Sequence, residues 1–459
     1  MQREQYDVVI IGAGSGNTII GPEHDHLSFA MVEDGVFGGT CLNRGCIPTK
    51  ILVHTADMAR TIEHAAAFGL DVTLDRVRWK DIRDRVFDRI DPIAESGEQY
   101  RRSGSPNVTV RDGHARFVGP RTLEVALRDG PVLVEGRQVV IAAGARPMVP
   151  DVPGLVEAGF YTSDDIMRVD DVPEHLIVVG GGFIACELAH VFGSFGAAIS
   201  IVQRSSRLLS AEDQDVSDAI TRCFAERFDL HCGTTLARVA RHGDVVEVTL
   251  SDGTTIEGTD LLVATGRIPN SDRLGLADVG IDTHPDGRIV TDLTQATSAP
   301  GVWALGDVSS PYMLKHVANH EARVVAHNLL HPDDRRRTDY RAVPHAVFTN
   351  PQIASVGMTE REAVARGVDL MVSTQPYAGV AYGWALEDTS GFCKLIADRG
   401  TRRLVGAHIL GPHASSLIQQ LVQGMTHGST IDEMANGQYY IHPALGELVE
   451  NALLGFGPA

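Results

Sequence analysis

Twice along this chain a short, β-branched run ends in a string of glycines, and that repeated pattern narrows the fold more than any other feature. The first instance is "YDVVIIGAGSGN" (residues 6–17) and the second is "EHLIVVGGGFIACELAHVFG" (residues 174–193). Short apolar runs bounded by glycine read as buried parallel strands. Glycines at the turn allow the backbone to approach a pyrophosphate at a helix N-terminus. One such motif is weak evidence; two, each with a second strand at the right distance, specify two dinucleotide units.

In the first unit, Gly12, Gly14, Ser15 and Gly16 form the phosphate turn. The strand in "SFAMVED" then ends at Glu33, where a carboxylate would meet an adenosine ribose. Asn17 stands where the third glycine is expected, and "IIGPEHDHL" breaks any long helix at Gly21–Pro22. In the second unit Gly180, Gly182 and Ala185 fill the small-residue positions, and Phe183 to Phe192 is apolar at helical spacing. Its next strand ends at Gln203, with Arg204 and Arg207 close behind. A neutral residue flanked by arginines favours a 2′-phosphate, so the second site reads as NADP-type; the alternative is a solvated turn.

Composition narrows the class. A length of 459 residues fits about three domains. A net charge of −19 argues against a nucleic-acid partner. The opening "MQREQYDVVIIG" carries no leader pattern, and no apolar run has the length of a membrane helix, so a cytoplasmic protein without a membrane partner is expected. Six cysteines in so long a chain do not make a disulfide scaffold. A close pair among them, Cys41 and Cys46 in "GGTCLNRGCIPTK" (residues 38–50), therefore reads as catalytic or metal-binding. Cys186, Cys223, Cys232 and Cys393 have no CxxC-type neighbour to complete a zinc site, so no metal is expected. Near a helix start the pair can close into a reducible disulfide, and the helix terminus favours a thiolate. Lys50 follows Cys46 by one helical turn and projects from the same side.

Three more strand-to-loop turns occur in "QVVIAAGARP" (138–147), "DLLVATGRIPN" (260–270) and "GVWALGDVS" (301–309), the last placing Asp307 to bind a ribityl or phosphate-linked hydroxyl. Near the C-terminus stands "IHPALGELVE" (441–450). In this order, the segments resemble the pyridine nucleotide–disulfide oxidoreductases, the class of glutathione reductase and dihydrolipoamide dehydrogenase, over essentially all 459 residues.

The resemblance implies an α/β protein with two Rossmann-like dinucleotide-binding domains, for FAD and NADP, and a C-terminal α+β dimerisation domain. The implied partition is 1–150 and 266–340 for the FAD and central domain, 151–265 for the NADP domain and 341–459 for the interface of a homodimer. It also assigns roles. Cys46 faces the flavin as the charge-transfer thiolate, and Cys41 attacks the substrate disulfide. Lys50 and Glu187 pair beside the flavin N5, and Phe183 stacks over the flavin or is plain core. His442 and Glu447 carry proton transfer, with Ala444 where the family commonly has threonine. The FAD site adds Gly39, Thr40, His114, Ala115, Ala143, Gly144, Met313, Leu314, Lys315 and His316 to the residues above. The NADPH site comprises Gly180, Gly182, Phe183, Ile184, Glu187, Gln203, Arg204, Arg207 and Gly266.

Within the family, "FGGTCLNRGCIPTK", "DVSSPYMLKHVANHEARVV", "AYGWALEDTSG" and "GQYYIHPALGELVENALLG" look most like members that reduce mycothione, the disulfide of mycothiol. The expected activity is therefore NADPH-dependent reduction of that disulfide. The alternatives are an NAD-linked dihydrolipoamide dehydrogenase and a redox-sensing flavoprotein without turnover.

Overall fold

The computed structural model describes residues 1–458. Its first sheet is built on Arg3–Ile11, which runs parallel between Phe29–Glu33 and Gly130–Ile141. Val8, Val9 and Ile10 are fully buried, as a strand covered on both faces requires. Ile11 is level with Val32 on one side and Ile141 on the other, and Val302–Ala304 extends the sheet in parallel beyond Ile141. The loops after these strands therefore open at one end of the sheet, where α/β folds bind ligands.

The first glycine loop leads into no long helix, as the break expected at Gly21–Pro22 implies: Ser15–Ile19 is a single 3₁₀ turn, and Pro22–His24 is another. Gly21–Pro22 stops propagation, and the buried Arg101 holds the shortened segment. Its guanidinium donates to Asn17 Oδ1 at 2.7 Å, to the Asn17 carbonyl at 3.0 Å and to the Ile20 carbonyl at 3.3 Å. Asn17 thus ties down a turn where a third glycine would seat a helix.

The second sheet is parallel throughout, in the order Asp260–Val263, His175–Val179, Ala198–Gln203, Asp229–Cys232. The helix Phe183–Ser194 follows its glycine loop and is buried along most of its length. Ala145–Pro147 pairs antiparallel with Arg267–Pro269, so the chain enters and leaves this unit side by side.

From Pro344 onward a five-stranded antiparallel sheet forms a separate core with the helices Ala414–His427 and Gly446–Leu454. We propose the partition 1–150 with 266–340, 151–265 and 341–459 for these units, because each then contains one principal sheet. Among the described residues, no helix is long and apolar enough to cross a membrane.

Candidate active site

A cavity of about 510 Å³ opens where the loops of the first sheet meet the second glycine helix. Gly12 forms its floor with φ +103°, and a Cβ there would lie 2.3 Å from the Ala142 carbonyl oxygen, so only glycine fits. Gly39, with φ +70°, meets a second glycine of that loop: its Cβ would lie 2.7 Å from the Gly14 Cα. The phosphate loop and the cysteine-bearing segment touch backbone to backbone.

Glu33 lines the cavity with both oxygens fixed by backbone, Oε2 accepting from Ala13 at 2.6 Å and Oε1 from Gly35 at 2.9 Å. Burial raises its pKa, partly offset by those bonds. Gly14, Ser15, Thr40, Ala115, Ala143, Gly144 and Met313 also line the cavity; Gly16 is buried beneath it. His114 lines it with Nδ1 3.0 Å from Asp34 and Nε2 2.9 Å from the Arg273 carbonyl. Lys315 Nζ donates to Ser15 Oγ at 2.9 Å, which sets a cation at the phosphate loop in place of the missing helix terminus. Asp307 faces the same space, its pKa raised by burial against the pull of Arg267 and Lys315. Leu314 and His316 do not line the cavity, and the His316 ring bonds the Pro344 carbonyl at 2.8 Å instead. The helix Lys315–Leu330 begins here, so neighbouring residues leave on different faces.

Cys46 is the first residue of the helix Cys46–His64, and Cys41 lies on the short helix Gly39–Asn43 before it. Both are free thiols on the cavity wall, Cys41 partly covered and Cys46 exposed. The neighbouring Cys41 thiol pulls the Cys46 pKa down to about 7 against burial, with help from Lys50. Cys41 moves the opposite way, pushed up by the neighbouring Cys46 thiol and then by burial. The two thiols titrate as a coupled pair in which the Cys46 side favours the thiolate.

Lys50 Nζ lies 2.7 Å from Glu187 Oε2, and Glu187 is only 3% exposed. Its other oxygen accepts the Phe348 N–H at 2.9 Å, while Lys50 sits 4.8 Å from the centre of the Phe348 ring. Phe348 escapes sequence reading because its contribution is a backbone donor, which has no residue signature. Phe183 lines the cavity and is 47% exposed, so it is not core; Ile184 lies beside it.

The remaining second-unit residues lie away from this cavity. Gly180 repeats the device of Gly12, with φ +120° and a Cβ that would lie 2.3 Å from the Ala264 oxygen. Gly182 caps the helix Phe183–Ser194, and the Gly266 carbonyl accepts from Met148 at 2.9 Å. The Gln203 side chain accepts the Arg204 N–H at 3.0 Å and packs against Gly181, so it stays folded at the strand end. Arg204 is exposed, whereas Arg207 is ion-paired with Asp218. Asp218 lies on the following helix, Gln214–Ala225, and its approach was invisible in the local sequence.

His442 and Glu447 lie outside the cavity. His442 Nδ1 is 2.6 Å from Glu447 Oε1, which leaves Nε2 directed away from the pair, and the ring is 73% exposed. Within one chain the histidine therefore meets solvent rather than the cysteines.

The geometry fits two dinucleotides: two glycine turns that a Cβ would close at Gly12 and Gly180, and beside the first a cavity with a pair of free thiols on its wall. Sequence comparison agrees. The pyridine nucleotide-disulphide oxidoreductase profile matches residues 6–322, and the dimerisation-domain profile of the same group matches residues 343–453. A mycothione reductase from Mycobacterium tuberculosis (strain CDC 1551 / Oshkosh) is 51% identical over 98% of this chain and 99% of its own length. A dihydrolipoyl dehydrogenase from Chlamydia muridarum is 30% identical over 98% of this chain and 97% of its own. Among solved structures, a Cu(II) complex of the HOCl-induced flavoprotein disulfide reductase RclA from Escherichia coli superposes with a TM-score of 0.87 at 30% identity, covering 98% of this chain and 99% of that one.

Proposed function

Because this chain belongs to the pyridine nucleotide-disulphide oxidoreductase family, we propose that it is an NADPH-dependent flavoprotein reductase of mycothione. The observation that carries the chemistry is the placement of the thiol pair: Cys41 and Cys46 share one cavity wall with the Lys50–Glu187 ion pair, whose cation favours a thiolate on Cys46. The substrate rests on the 51% identity to a mycothione reductase across nearly the whole of both chains.

Gly12, Gly14, Glu33, Lys315 and Asp307 would hold FAD, and Gly180, Gly182, Gln203 and Arg204 would hold NADPH. Bound FAD supplies the electron relay from the NADPH hydride to the cysteine pair. Starting from the dithiol, Cys41 loses its proton to His442 of a second copy and attacks one sulfur of the substrate. The first mycothiol leaves with the proton that His442 returns. The Cys46 thiolate then attacks the Cys41 sulfur and displaces the second mycothiol, which takes its proton from solvent, and a Cys41–Cys46 disulfide remains. Glu447 holds His442 with Nε2 facing outward for this exchange. Lys50 keeps positive charge beside Cys46, and Glu187 fixes the lysine. A homodimer supplies the second copy, and the cytoplasm, where thiols are kept reduced, is the compartment that suits this chemistry.

The test compares turnover of mycothione, glutathione disulfide and lipoamide with NADPH and with NADH. Mycothiol presents sugar and inositol hydroxyls where glutathione presents free carboxylates, so a site built for one leaves polar groups unpaired against the other. Mycothione with NADPH should give by far the highest kcat/KM. Comparable values for mycothione and glutathione disulfide would defeat the substrate assignment, and a preference for lipoamide with NADH would replace it.

A further inference from the structure

A second, small hollow of about 80 Å³ lies beside the loop that follows Gln203. Ser205, Ser206, Arg207 and Ser210 line it from that loop, and Arg361 lines it from the helix Glu360–Ala365 in the C-terminal region. The loop folds back on the second glycine turn, since Leu209 N–H donates to the Gly181 carbonyl at 2.7 Å. In a dinucleotide fold the end of this strand faces the 2′ position of the adenosine ribose. The hollow is thus where a 2′-phosphate would sit.

Its charge is unevenly available. Arg207 is already paired with Asp218, while Arg361 is exposed and makes no ion pair among the described residues. One carboxylate, Glu212, reaches the wall, but both its oxygens are occupied, by His345 Nε2 at 2.6 Å and by Ser355 Oγ at 2.7 Å. What remains for a ligand is a set of serine hydroxyls and the Arg361 guanidinium, which suits a phosphate.

An arginine from another domain contributes to recognition only if it is held in place. The residue before it is anchored: Glu360 N–H donates to Asp213 Oδ2 at 3.0 Å. Lys394, 2% exposed, joins Asp213 at 2.8 Å to Asp215 and Glu360, each at 2.7 Å. Asp213 is also the N-cap of the helix Gln214–Ala225, which follows the loop. The helix carrying Arg361 is therefore fastened to the hollow's own wall.

We propose that Arg361 completes the 2′-phosphate site of NADPH, so that cofactor specificity is shared between the second nucleotide unit and the C-terminal region. This rests on the NADPH reading above and adds to it a residue from outside the nucleotide fold.

Calorimetric titration of the FAD-loaded enzyme with 2′,5′-ADP and with 5′-AMP tests it, with 5′-AMP as the internal reference. Arg361→Met should weaken 2′,5′-ADP about tenfold relative to 5′-AMP. Arg361→Lys should recover part of the loss, since a point charge replaces the planar fork. If the unmodified enzyme prefers 2′,5′-ADP and Arg361→Met prefers it equally, Arg361 has no part in specificity. If the unmodified enzyme binds both alike, the NADPH reading falls and this inference with it.

Discussion

The Lys50 ammonium lies 2.7 Å from Glu187 Oε2, and the opposite oxygen of that carboxylate accepts the Phe348 N–H at 2.9 Å. One buried carboxylate thus joins the redox helix, the second glycine helix and the start of the C-terminal unit. Lys50→Met removes the cation beside Cys46 and leaves Glu187 buried without its counter-charge. Turnover should fall roughly 10²-fold, as when a preorganised electrostatic partner is lost, and the melting temperature should drop. Steady-state kinetics and a thermal melt of the same preparation read both effects.

The neighbouring Cys41 thiol and the Lys50 charge hold the Cys46 pKa down at about 7, which favours a thiolate there as pH rises through neutrality. In two-electron-reduced enzyme, the long-wavelength thiolate–flavin absorbance should therefore grow as pH rises through about 7. Lys50→Met should move the midpoint upward, because its charge favours the thiolate. Cys46→Ser should lack the band; if Cys41→Ser lacks it instead, the two sulfurs exchange roles.

Arg204 is exposed and Arg207 is held by Asp218, so their substitutions should differ. Arg204→Ala should weaken NADPH at least about tenfold, the loss of one charge-assisted bond, with little change for NADH. Arg207→Ala should cost less, because its charge is already compensated. Equal use of NADPH and NADH by the unmodified enzyme would remove the argument.

His442 and Glu447 sit together, away from the cavity of their own chain. Cys41→Ser should be inactive in disulfide turnover, and His442→Ala should lose about 10²–10⁴-fold. A purified heterodimer of the two should regain roughly one working site, since one intact Cys41 then meets one intact His442. A heterodimer no more active than His442→Ala would confine the histidine to its own subunit.

Arg101 secures the shortened first turn through Asn17 and Ile20. Arg101→Met should destabilise the protein by about 1–3 kcal/mol, because the half-buried Asn17 and Ile20 carbonyls lose their donor. Flavin release on mild heating should begin earlier than in the unmodified protein. An unchanged melting temperature and unchanged flavin retention would show the turn to be self-supporting.

What could be read from the sequence was whatever sits within a few residues of itself. The glycine turns, the cysteine pair and the His442–Glu447 spacing are local, and the physics that makes them functional is local too. Asn17 marked the anomaly in the first turn, but its partner Arg101 lies 84 positions away, and only the folded chain joins them. Arg207 was visible while Asp218, one helix later, was not. Phe348 acts through a peptide N–H that every residue but proline possesses. His316 stands next to Lys315 on the same helix, yet its ring turns to the Pro344 carbonyl, a partner 28 positions away that the sequence does not show.

The contact between Gly14 and Gly39 leaves no room for a side chain on the second of these residues. It welds the nucleotide cradle to the thiol-bearing segment, so neither can shift without displacing the other. Loss of FAD would then be felt at the thiols as lost alignment. Damage to the Gly39 turn would be felt first as a failure to retain the yellow cofactor, before any defect in disulfide chemistry could be measured.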